Sequence, residues 1–409
     1  ERLPDGTMMW RMKIRAPGAT SVGLVFDQFE LPEDAELFIY NEDKSIVLGA
    51  FTAENNHPSG IFSVQVIPGE VLIVEYTEKP HQGQFKSIKG QAVKNGEIAV
   101  INLQGEEQTF EPRGKLSIGD VIYVYNDKIY NTTSTKDLGD ADACEVNINC
   151  SPEGDGWQIQ KRGVARILFK EGVNWYYCSG TLINNTLNNG QPYFLTAYHC
   201  GATASAADKN QWQFYFNFER PGCANTGTPP NNVITGCVMR ASGSINGGTD
   251  MQLVELNSTP PLSWNPYYNG WDRTTTPTAG GVGIHHPAGD AKKISTYTGT
   301  PTAQTWNDGT NIGMTNGHWN VTFVATPNGH GVTEGGSSGS PLFQGSNKYV
   351  IGTLTGGSSS CTNTNGSNLY GRFDKHWDQN GTTADKQLKP WLDPANVNPS
   401  SWPGYDPNS

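Results

Sequence analysis

Three short segments of the chain carry side chains of the types that nucleophilic catalysis requires. His199 follows one apolar β-like run, Asp250 precedes another, and Ser338 lies in the glycine-rich stretch Gly335–Pro341. An imidazole with an ordinary pKa near neutrality suits a general base, and a carboxylate can hold its tautomer. A serine between glycines places its hydroxyl beside free backbone N–H groups. The residues therefore predict that Ser338 attacks a carbonyl carbon, His199 takes its proton and Asp250 orients His199.

Each segment alone has a structural alternative, but the three together point to one class of enzyme. His199 alone fits a structural histidine, Asp250 a turn residue and Gly335–Pro341 a flexible turn. The order His…Asp…Ser is that of chymotrypsin-type enzymes, and residue 340 is Ser, so the G-x-S-x-G elbow of α/β-hydrolases is missing. We expect the backbone N–H groups of Gly336 and Ser338 to form the oxyanion hole.

The elements that position these residues are predicted to be almost entirely strands. Short apolar or alternating runs, separated by turn residues, recur from Met9 to Leu354, and no long stretch has the helical period of 3.6 residues. The fold class is therefore all-β. We expect an N-terminal β-sandwich-like domain followed by a barrel-type domain that carries the three segments.

Composition divides the chain near residue 140. Residues 1–137 contain 33 charged side chains and a single tryptophan. The remaining 272 residues contain 34 charged side chains and ten tryptophans. We predict a β-rich domain at 1–137 without catalytic residues, a catalytic domain at 138–395 and a linker-like tail at 396–409. The polar stretch 131–140 is the expected connection. The chain ends suggest that the N-terminus is processed and that a C-terminal sorting domain has been removed.

Charge and hydropathy exclude several function classes. The formal net charge is −11 with only 16% charged residues, which argues against nucleic acid as a partner. No apolar run approaches the ~18 residues of a membrane helix, so we expect no membrane insertion. Of the seven cysteines, none precedes Cys144 and none forms a CxxC pair. Disulfides in a secreted protein are the favoured interpretation, and buried free thiols in a cytosolic enzyme are the alternative.

The sequence resembles the lysyl endopeptidase family of secreted bacterial serine proteases over about residues 140–395. The resemblance implies a chymotrypsin-like double β-barrel, protein or peptide substrates, an extracellular bacterial location and a pro-region at 1–137. It is carried by Cys144–Cys150, Pro152–Asp155, Phe194–Cys200, Gly270–Arg273, Ile284–Pro287, Gly335–Pro341 and Trp391–Pro394.

The same resemblance implies disulfides and substrate contacts. The implied bridges are Cys144–Cys361, Cys150–Cys223 and Cys178–Cys200, which leaves Cys237 unpaired. The strand Gly352–Gly357, with Thr355, Gly356 and Gly357 at its end, is expected to pair with an extended substrate. Trp306 is a candidate wall of the substrate pocket, and a surface tryptophan is its alternative.

Two departures from the family concern specificity. Lysine-specific members carry an acidic residue shortly before the Tyr-Gly-Arg motif, where this chain has Asn368, and a family histidine is replaced by Thr355. A neutral pocket floor lacks the ion pair that offsets the desolvation of a buried lysine. Lysine specificity is therefore not predicted.

The His285-His286-Pro287 segment raises the question of a metal site. Adjacent residues of a strand point to opposite faces, and the chain contains no HExxH motif. We predict neither a metal nor another cofactor.

Activation is expected to differ from that of trypsin-type zymogens. There, a new amino terminus pairs with an aspartate directly before the nucleophile, and here that position is Ser337. Latency would have to come from residues 1–137 acting as an intramolecular partner, released by cleavage at Lys136-Asp137. The chain is expected to be a monomer. Its alternatives to an active endopeptidase are a permanently latent zymogen and a binding protein on a protease scaffold.

Overall fold

The computed structural model describes residues 1–81, 84–87, 98–101, 107–124, 141–227, 229–230 and 232–409. The chain divides into two compact units, Glu1–Thr133 and Ser134–Ser409. The expected connection at 131–140, with the cleavage site Lys136-Asp137, lies outside the described residues. Most of the regular structure in both units is β-strand, so the all-β prediction is confirmed.

The first unit is built from antiparallel sheets around its own apolar core. Within its described residues the sheet orders are β1-β7-β3-β4, β8-β10-β9 and β11-β2-β5, with β6 also paired to β2. Alternation explains the packing: in β7, every second side chain from Leu72 to Glu78 is buried. Its strands are β1 Met8–Arg15, β2 Ser21–Glu30, β3 Ala35–Tyr40, β4 Val47–Phe51, β5 Phe62–Ser63, β6 Ile67–Pro68, β7 Val71–Glu78, β8 Phe85–Ser87, β9 Ile98–Ile101, β10 Glu107–Phe110 and β11 Lys115–Val124.

The second unit begins with an antiparallel sheet that carries two of the predicted site residues at its strand ends. Its order over the described residues is β16-β15-β12-β13-β14-β18-β17. Strand β14 ends two residues before His199, and β18 begins directly after Asp250. The strands are β12 Val164–Glu171, β13 Asn174–Leu182, β14 Tyr193–Ala197, β15 Gln213–Phe216, β16 Asn232–Thr235, β17 Cys237–Gly243 and β18 Met251–Leu256.

A second sheet of this unit carries the serine and the expected substrate strand. Its order is β21-β20-β24-β25-β26-β23-β22, and β19 joins β25 in the same sheet. Ser338 lies three residues before β24. The strands are β19 Trp271–Asp272, β20 Gly281–His285, β21 Lys293–Tyr297, β22 Thr302–Gln304, β23 His318–Val321, β24 Pro341–Gln344, β25 Val350–Gly357, β26 Asn368–Arg372 and β27 Ser401–Trp402.

Helices are few and short among the described residues. None is long and apolar enough to cross a membrane. The α-helices are α1 Ala206–Lys209, α2 Phe373–Asp378 and α3 Lys389–Leu392. The 3₁₀ turns are Ala53–Asn55, Asp155–Trp157, Gln160–Gly163, Leu262–Trp264, Pro287–Gly289 and Ala384–Lys386.

The C-terminal segment 396–409, which the sequence suggested as a linker, is packed onto the second unit. Strand β27 pairs with β19, and Tyr405 exchanges backbone hydrogen bonds with Tyr268. The Tyr268 and Tyr405 rings also pack together, with centroids 6.0 Å apart. Backbone pairing and aromatic burial therefore order a segment whose Pro, Ser and Asn content alone suggests a loop.

The three disulfides implied by the resemblance are present. Cys144 is bonded to Cys361, Cys150 to Cys223 and Cys178 to Cys200. Cys237 is a buried free thiol, and burial raises its pKa well above the ordinary value. A neutral, inaccessible thiol is unreactive, so its role is packing.

Candidate active site

His199 and Asp250 form a hydrogen-bonded pair at adjoining strand ends. Strands β14 and β18 are antiparallel neighbours, with Ala197 opposite Met251. This register places Tyr198, the residue after β14, opposite Asp250, whose carbonyl accepts the Tyr198 N–H, and His199 is the next residue along the chain. Asp250 is completely buried, and its Oδ2 lies 2.7 Å from His199 Nδ1 while its Oδ1 accepts the backbone N–H of His199 at 2.9 Å. Two bonds to one carboxylate fix both the ring and its backbone.

The backbone at Asp250 is held in an unusual conformation. Its φ is +58°, in the left-handed region that aspartate and asparagine tolerate better than most residues. The carbonyl of Asp250 accepts the N–H of Tyr198, and its own N–H donates to the carbonyl of Ser244. The surrounding hydrogen bonds thus turn the carboxylate toward the histidine.

The electrostatics of His199 suit a base that becomes positively charged during a reaction. Burial disfavours the imidazolium, but the charge and the hydrogen bond of Asp250 outweigh burial and raise the pKa of His199 above 6.5. The side chain is 31% exposed, so its other nitrogen can reach a ligand.

A buried hydrogen-bond network that the sequence did not reveal supports the aspartate. His376 in α2 contacts Thr249 Oγ1 through Nδ1 at 2.8 Å and Thr353 Oγ1 through Nε2 at 3.0 Å. Asn380 donates to Thr249 Oγ1 and accepts the Thr249 N–H. Burial lowers the pKa of His376 to about 3, so the ring is neutral. Spacing gives no signal for the contacts of Thr249, because they join positions 127 and 131 residues apart.

Ser338 is half-buried in a tight loop of backbone hydrogen bonds. The carbonyl of Ser338 accepts the N–H of Ser179, and the N–H of Gly339 donates to the carbonyl of Leu354. Gly339 has a φ of +79°, and a Cβ there would lie 2.1 Å from Thr196 Oγ1. Only glycine fits, and this close approach brings the loop against β14.

The disulfide Cys178–Cys200 brings the loop and the histidine together. Cys200 directly follows His199, and its Sγ lies 3.8 Å from the carbonyl oxygen of Ser338. Among the described residues, Ser338 Oγ has no hydrogen-bond partner. The hydroxyl is therefore available near the His–Asp pair, in the way that catalytic hydrogen bonds are often loose before substrate binds.

The two predicted oxyanion-hole donors have no acceptor within the part of the chain that the structure describes. The N–H groups of Ser337 and Gly339 donate to Glu334 and Leu354, whereas those of Gly336 and Ser338 donate to neither backbone nor side chain. Gly336 has a φ of +98°, which a side chain would strain. Two unengaged N–H groups beside a free hydroxyl match the arrangement that stabilises an oxyanion.

The expected substrate strand lies beside an aromatic side chain. A Cβ on Gly356 would come within 3.0 Å of the Trp306 ring, so this half-buried ring lies over the strand. Thr355 Oγ1 is 3.0 Å from Nε2 of His318, whose ring centroid is 6.2 Å from that of Trp306. His318 carried no sequence signal, because it lies within an ordinary short strand. Gly357 continues β25 opposite Asn368.

Asn368 is completely buried and internally hydrogen-bonded. Its Oδ1 accepts the hydroxyls of Thr333 and Ser359, each at 2.6 Å. Its Nδ2 faces the carbonyls of Val321 and Gly366 at 3.4 Å. Those carbonyls can only accept, so they fix which way the amide points. No charged group takes part in this cluster.

The paired histidines at 285 and 286 have separate partners. His285 contacts Ser337 and Ser295, and Nδ1 of His286 contacts the carbonyl of Asp290. His199 lies close to Cys178 and Cys200, but those two sulfurs form a disulfide and offer no thiolate to a metal.

The two antiparallel sheets of the second unit, with the histidine, aspartate and serine at their loops, define a chymotrypsin-like serine protease fold. Residues 138–371, more than half of the chain, match the lysyl endopeptidase C-terminal domain family. The chain therefore belongs to the lysyl endopeptidase family.

The chain is similar to several known proteases. A lysyl endopeptidase from Pseudomonas aeruginosa is 29% identical over 381 residues, which cover 88% of this chain and 71% of the relative. Among solved structures, protease Anisep from Arthrobacter nicotinovorans is 21% identical, with a TM-score of 0.36 over 52% of this chain and 90% of that one. A Glu endopeptidase is 19% identical, with a TM-score of 0.34 over 57% and 92%.

Proposed function

We propose that the protein is a secreted serine endopeptidase that uses Ser338, His199 and Asp250. The observation that carries the proposal is the His199 ring, fixed by the buried Asp250 next to a loop with a free hydroxyl and two unengaged N–H groups. Family membership supports peptide substrates. The three disulfides support an oxidising, extracellular location.

In the proposed reaction, the Oγ of Ser338 attacks the scissile carbonyl carbon while Nε2 of His199 takes the hydroxyl proton of Ser338. The resulting oxyanion is bound by the N–H groups of Gly336 and Ser338. Asp250 holds the proton on Nδ1 and stabilises the imidazolium, which then protonates the leaving amine. Water, activated by the same histidine, hydrolyses the acyl-enzyme and restores Ser338.

We further propose that Asn368 forms a neutral floor of the pocket for the residue before the scissile bond. Its amide oxygen and the hydroxyls of Thr333 and Ser359 provide polarity without charge. A lysine side chain would lose water there without gaining an ion pair. The protein is therefore expected to discriminate less strongly for lysine than a member with a carboxylate at this position.

The specificity test is the variant N368D. The new carboxylate can still accept both hydroxyls, but its second oxygen replaces the amide group that faces the carbonyls of Val321 and Gly366. Circular dichroism and active-site titration of N368D therefore first establish that the variant is folded. We expect the cut sites of N368D to shift toward Lys and Arg by tenfold or more relative to the unchanged protein, an effect of about 1.4 kcal/mol. A wild-type profile already dominated by lysine, with no change in N368D, would contradict the neutral-floor proposal.

The test of the activity compares the protein with its S338A variant on a diverse peptide mixture, with cut sites read by mass spectrometry. Both proteins are tested as the intact chain and again after limited proteolysis between the two units. Cuts should appear with the unchanged protein, at the latest after this proteolysis, and vanish in S338A. S346A is the matched control, because Ser346 is an exposed serine of the same unit, and it should cut normally. Equal patterns in all three would contradict the endopeptidase proposal. A folded protein that makes no cuts either before or after limited proteolysis would favour a binding protein on a protease scaffold.

We propose that residues 1–137 are a pro-region that restrains the second unit. We also propose that the protein is a monomer. Support comes from the composition shift and from the division of the chain at residue 133. Active-site titration of the intact chain and of the chain after limited proteolysis tests this proposal. A rise in reactive Ser338 after cleavage is expected, and equal titres before and after would refute latency. Light scattering reports the oligomeric state.

A further inference from the structure

The oxyanion loop around Ser338 is connected to a buried histidine that takes no part in the proposed triad. His285, at the end of β20, is completely buried. Its Nδ1 lies 2.8 Å from Ser337 Oγ, and its Nε2 lies 2.9 Å from Ser295 Oγ. Ser337 stands between the two residues whose N–H groups are the candidate oxyanion donors.

The hydrogen-bond directions in this cluster follow from its outer members. Ser295 donates its hydroxyl proton to the carbonyl of Val332 at 2.9 Å, so it can only accept from the histidine. The proton of His285 is thus on Nε2, and Nδ1 is an acceptor. Ser337 donates its hydroxyl to Nδ1 and in turn accepts the backbone N–H of Glu334 at 3.1 Å. Each proton donated within this hydrogen-bond network therefore has one acceptor.

The imidazole of His285 and the hydroxyls of Ser337 and Ser295 form an uncharged cluster. Burial and the nearby Lys293 lower the pKa of His285 to about 3, so its ring is neutral. The closest carboxyl, Glu145, lies 3.9 Å from Nε2, and burial raises its pKa well above the ordinary value.

The residues after His285 fix the same loop from its other side. The N–H of Ala288 donates to the carbonyl of Gly335 at 2.7 Å. In a trans peptide the C=O and the next N–H point in opposite directions, so this bond turns the Gly336 N–H away from Ala288. Likewise, Ser340 donates to the carbonyl of Ser337 and turns the Ser338 N–H away. Within the described part of the chain, both N–H groups are thereby left without an acceptor.

We propose that His285 is a positioning residue, which through the hydroxyl of Ser337 holds the loop in the conformation that leaves the Gly336 and Ser338 N–H groups free to bind an oxyanion. The inference rests on the proposed endopeptidase function and adds how its oxyanion hole is kept in place. A neutral chain of serine, histidine and serine stands where trypsin-type enzymes use an ion pair.

The test measures kcat and KM for a cleavable peptide, and the inhibition constant of a peptide aldehyde whose adduct needs the oxyanion hole. The variants H285L and S337A each remove the hydrogen bond between His285 and Ser337. We expect kcat to fall about 10- to 100-fold with KM nearly unchanged, somewhat less than the loss of a whole oxyanion donor. The inhibition constant of the aldehyde should rise by a similar factor, because its adduct mimics the tetrahedral intermediate.

The rescue variant is H285N, whose Oδ1 replaces Nδ1 as the acceptor for Ser337. It should recover most of the kcat lost in H285L. H330N is the control, since the His330 ring contacts the carbonyl of Gly331 and not the loop. Unchanged kcat in folded S337A, or equal losses in H285N and H285L, would overturn the proposal. If the unchanged protein cuts no peptide even after limited proteolysis between the two units, the endopeptidase function fails instead.

Discussion

At the scale of single residues, Asp250 determines the protonation behaviour of His199. Two of its oxygens bind the histidine, and its charge raises the pKa of His199 against the effect of burial. A base must be unprotonated to act, so activity should rise with pH through the pKa of His199, and its acid limb should lie above pH 6.5. Removal of the charge should therefore shift that limb.

The variant D250N tests whether the charge of Asp250 sets the pKa of His199. Asparagine tolerates the φ of +58°, so the backbone should persist while the charge is lost. We expect kcat to fall about 10⁴-fold and the acid limb of the pH–rate profile to move to lower pH, because burial then acts on His199 without compensation. D385N, which alters an exposed carboxylate, should leave the profile in place. An unmoved acid limb in D250N would show that Asp250 does not set this pKa.

Sequence reasoning selected the candidate triad but not the residues that are hydrogen-bonded around it. The types and order of His199, Asp250 and Ser338 were enough to select them, and the structure places them at adjoining loops. The roles of His285 and His376 could not be predicted, because each acts through hydroxyl groups distant in sequence. A serine or threonine hydroxyl leaves no pattern in a single chain, since any strand can bear one.

At the scale of elements, the disulfide Cys178–Cys200 ties β13 to the turn that carries His199. The bridge also contacts the Ser338 carbonyl, and the Ser179 N–H next to it binds the same oxygen. One cross-link thus connects the histidine and serine loops.

The double variant C178A/C200A should destabilise the second unit and lower activity. Closing a loop with a sequence separation of 22 residues restricts the unfolded chain and contributes about 3 kcal/mol. Urea unfolding followed by tryptophan fluorescence measures the loss, since ten of the eleven tryptophans follow residue 137. C237A, which removes a buried sulfur without removing a cross-link, is the control. An equal loss in both variants would mean that packing, rather than cross-linking, accounts for the effect.

Strands were more predictable than the segments that end the chain. Apolar runs of the kind that predict strands, such as Met251–Leu256 and Tyr193–Ala197, form β18 and β14. Helix α2 and strand β27 were not predicted, because α2 is only six residues long and β27 pairs through a partner far away in sequence. Periodicity over so few residues cannot separate a helix or a strand from a loop.

At the scale of the whole molecule, the two units differ in how they are stabilised. The first has an apolar core but no cysteine, whereas the second contains all three disulfides. A reductant should therefore lower the unfolding temperature of the second unit alone. Tryptophan fluorescence follows that unit, and calorimetry of the full chain records both units.

We expect two calorimetric transitions, of which only the one that coincides with the fluorescence change moves down when a strong thiol reductant is present. Three bridges at typical values of about 2–4 kcal/mol each are a large part of the stability of one domain, so the shift should exceed 10 °C. The C178A/C200A variant should show an intermediate shift without reductant. A single transition that moves as a whole would instead mean that the two units unfold cooperatively, and stabilisation of the protease unit by its N-terminal unit would then have to be included in any account of latency.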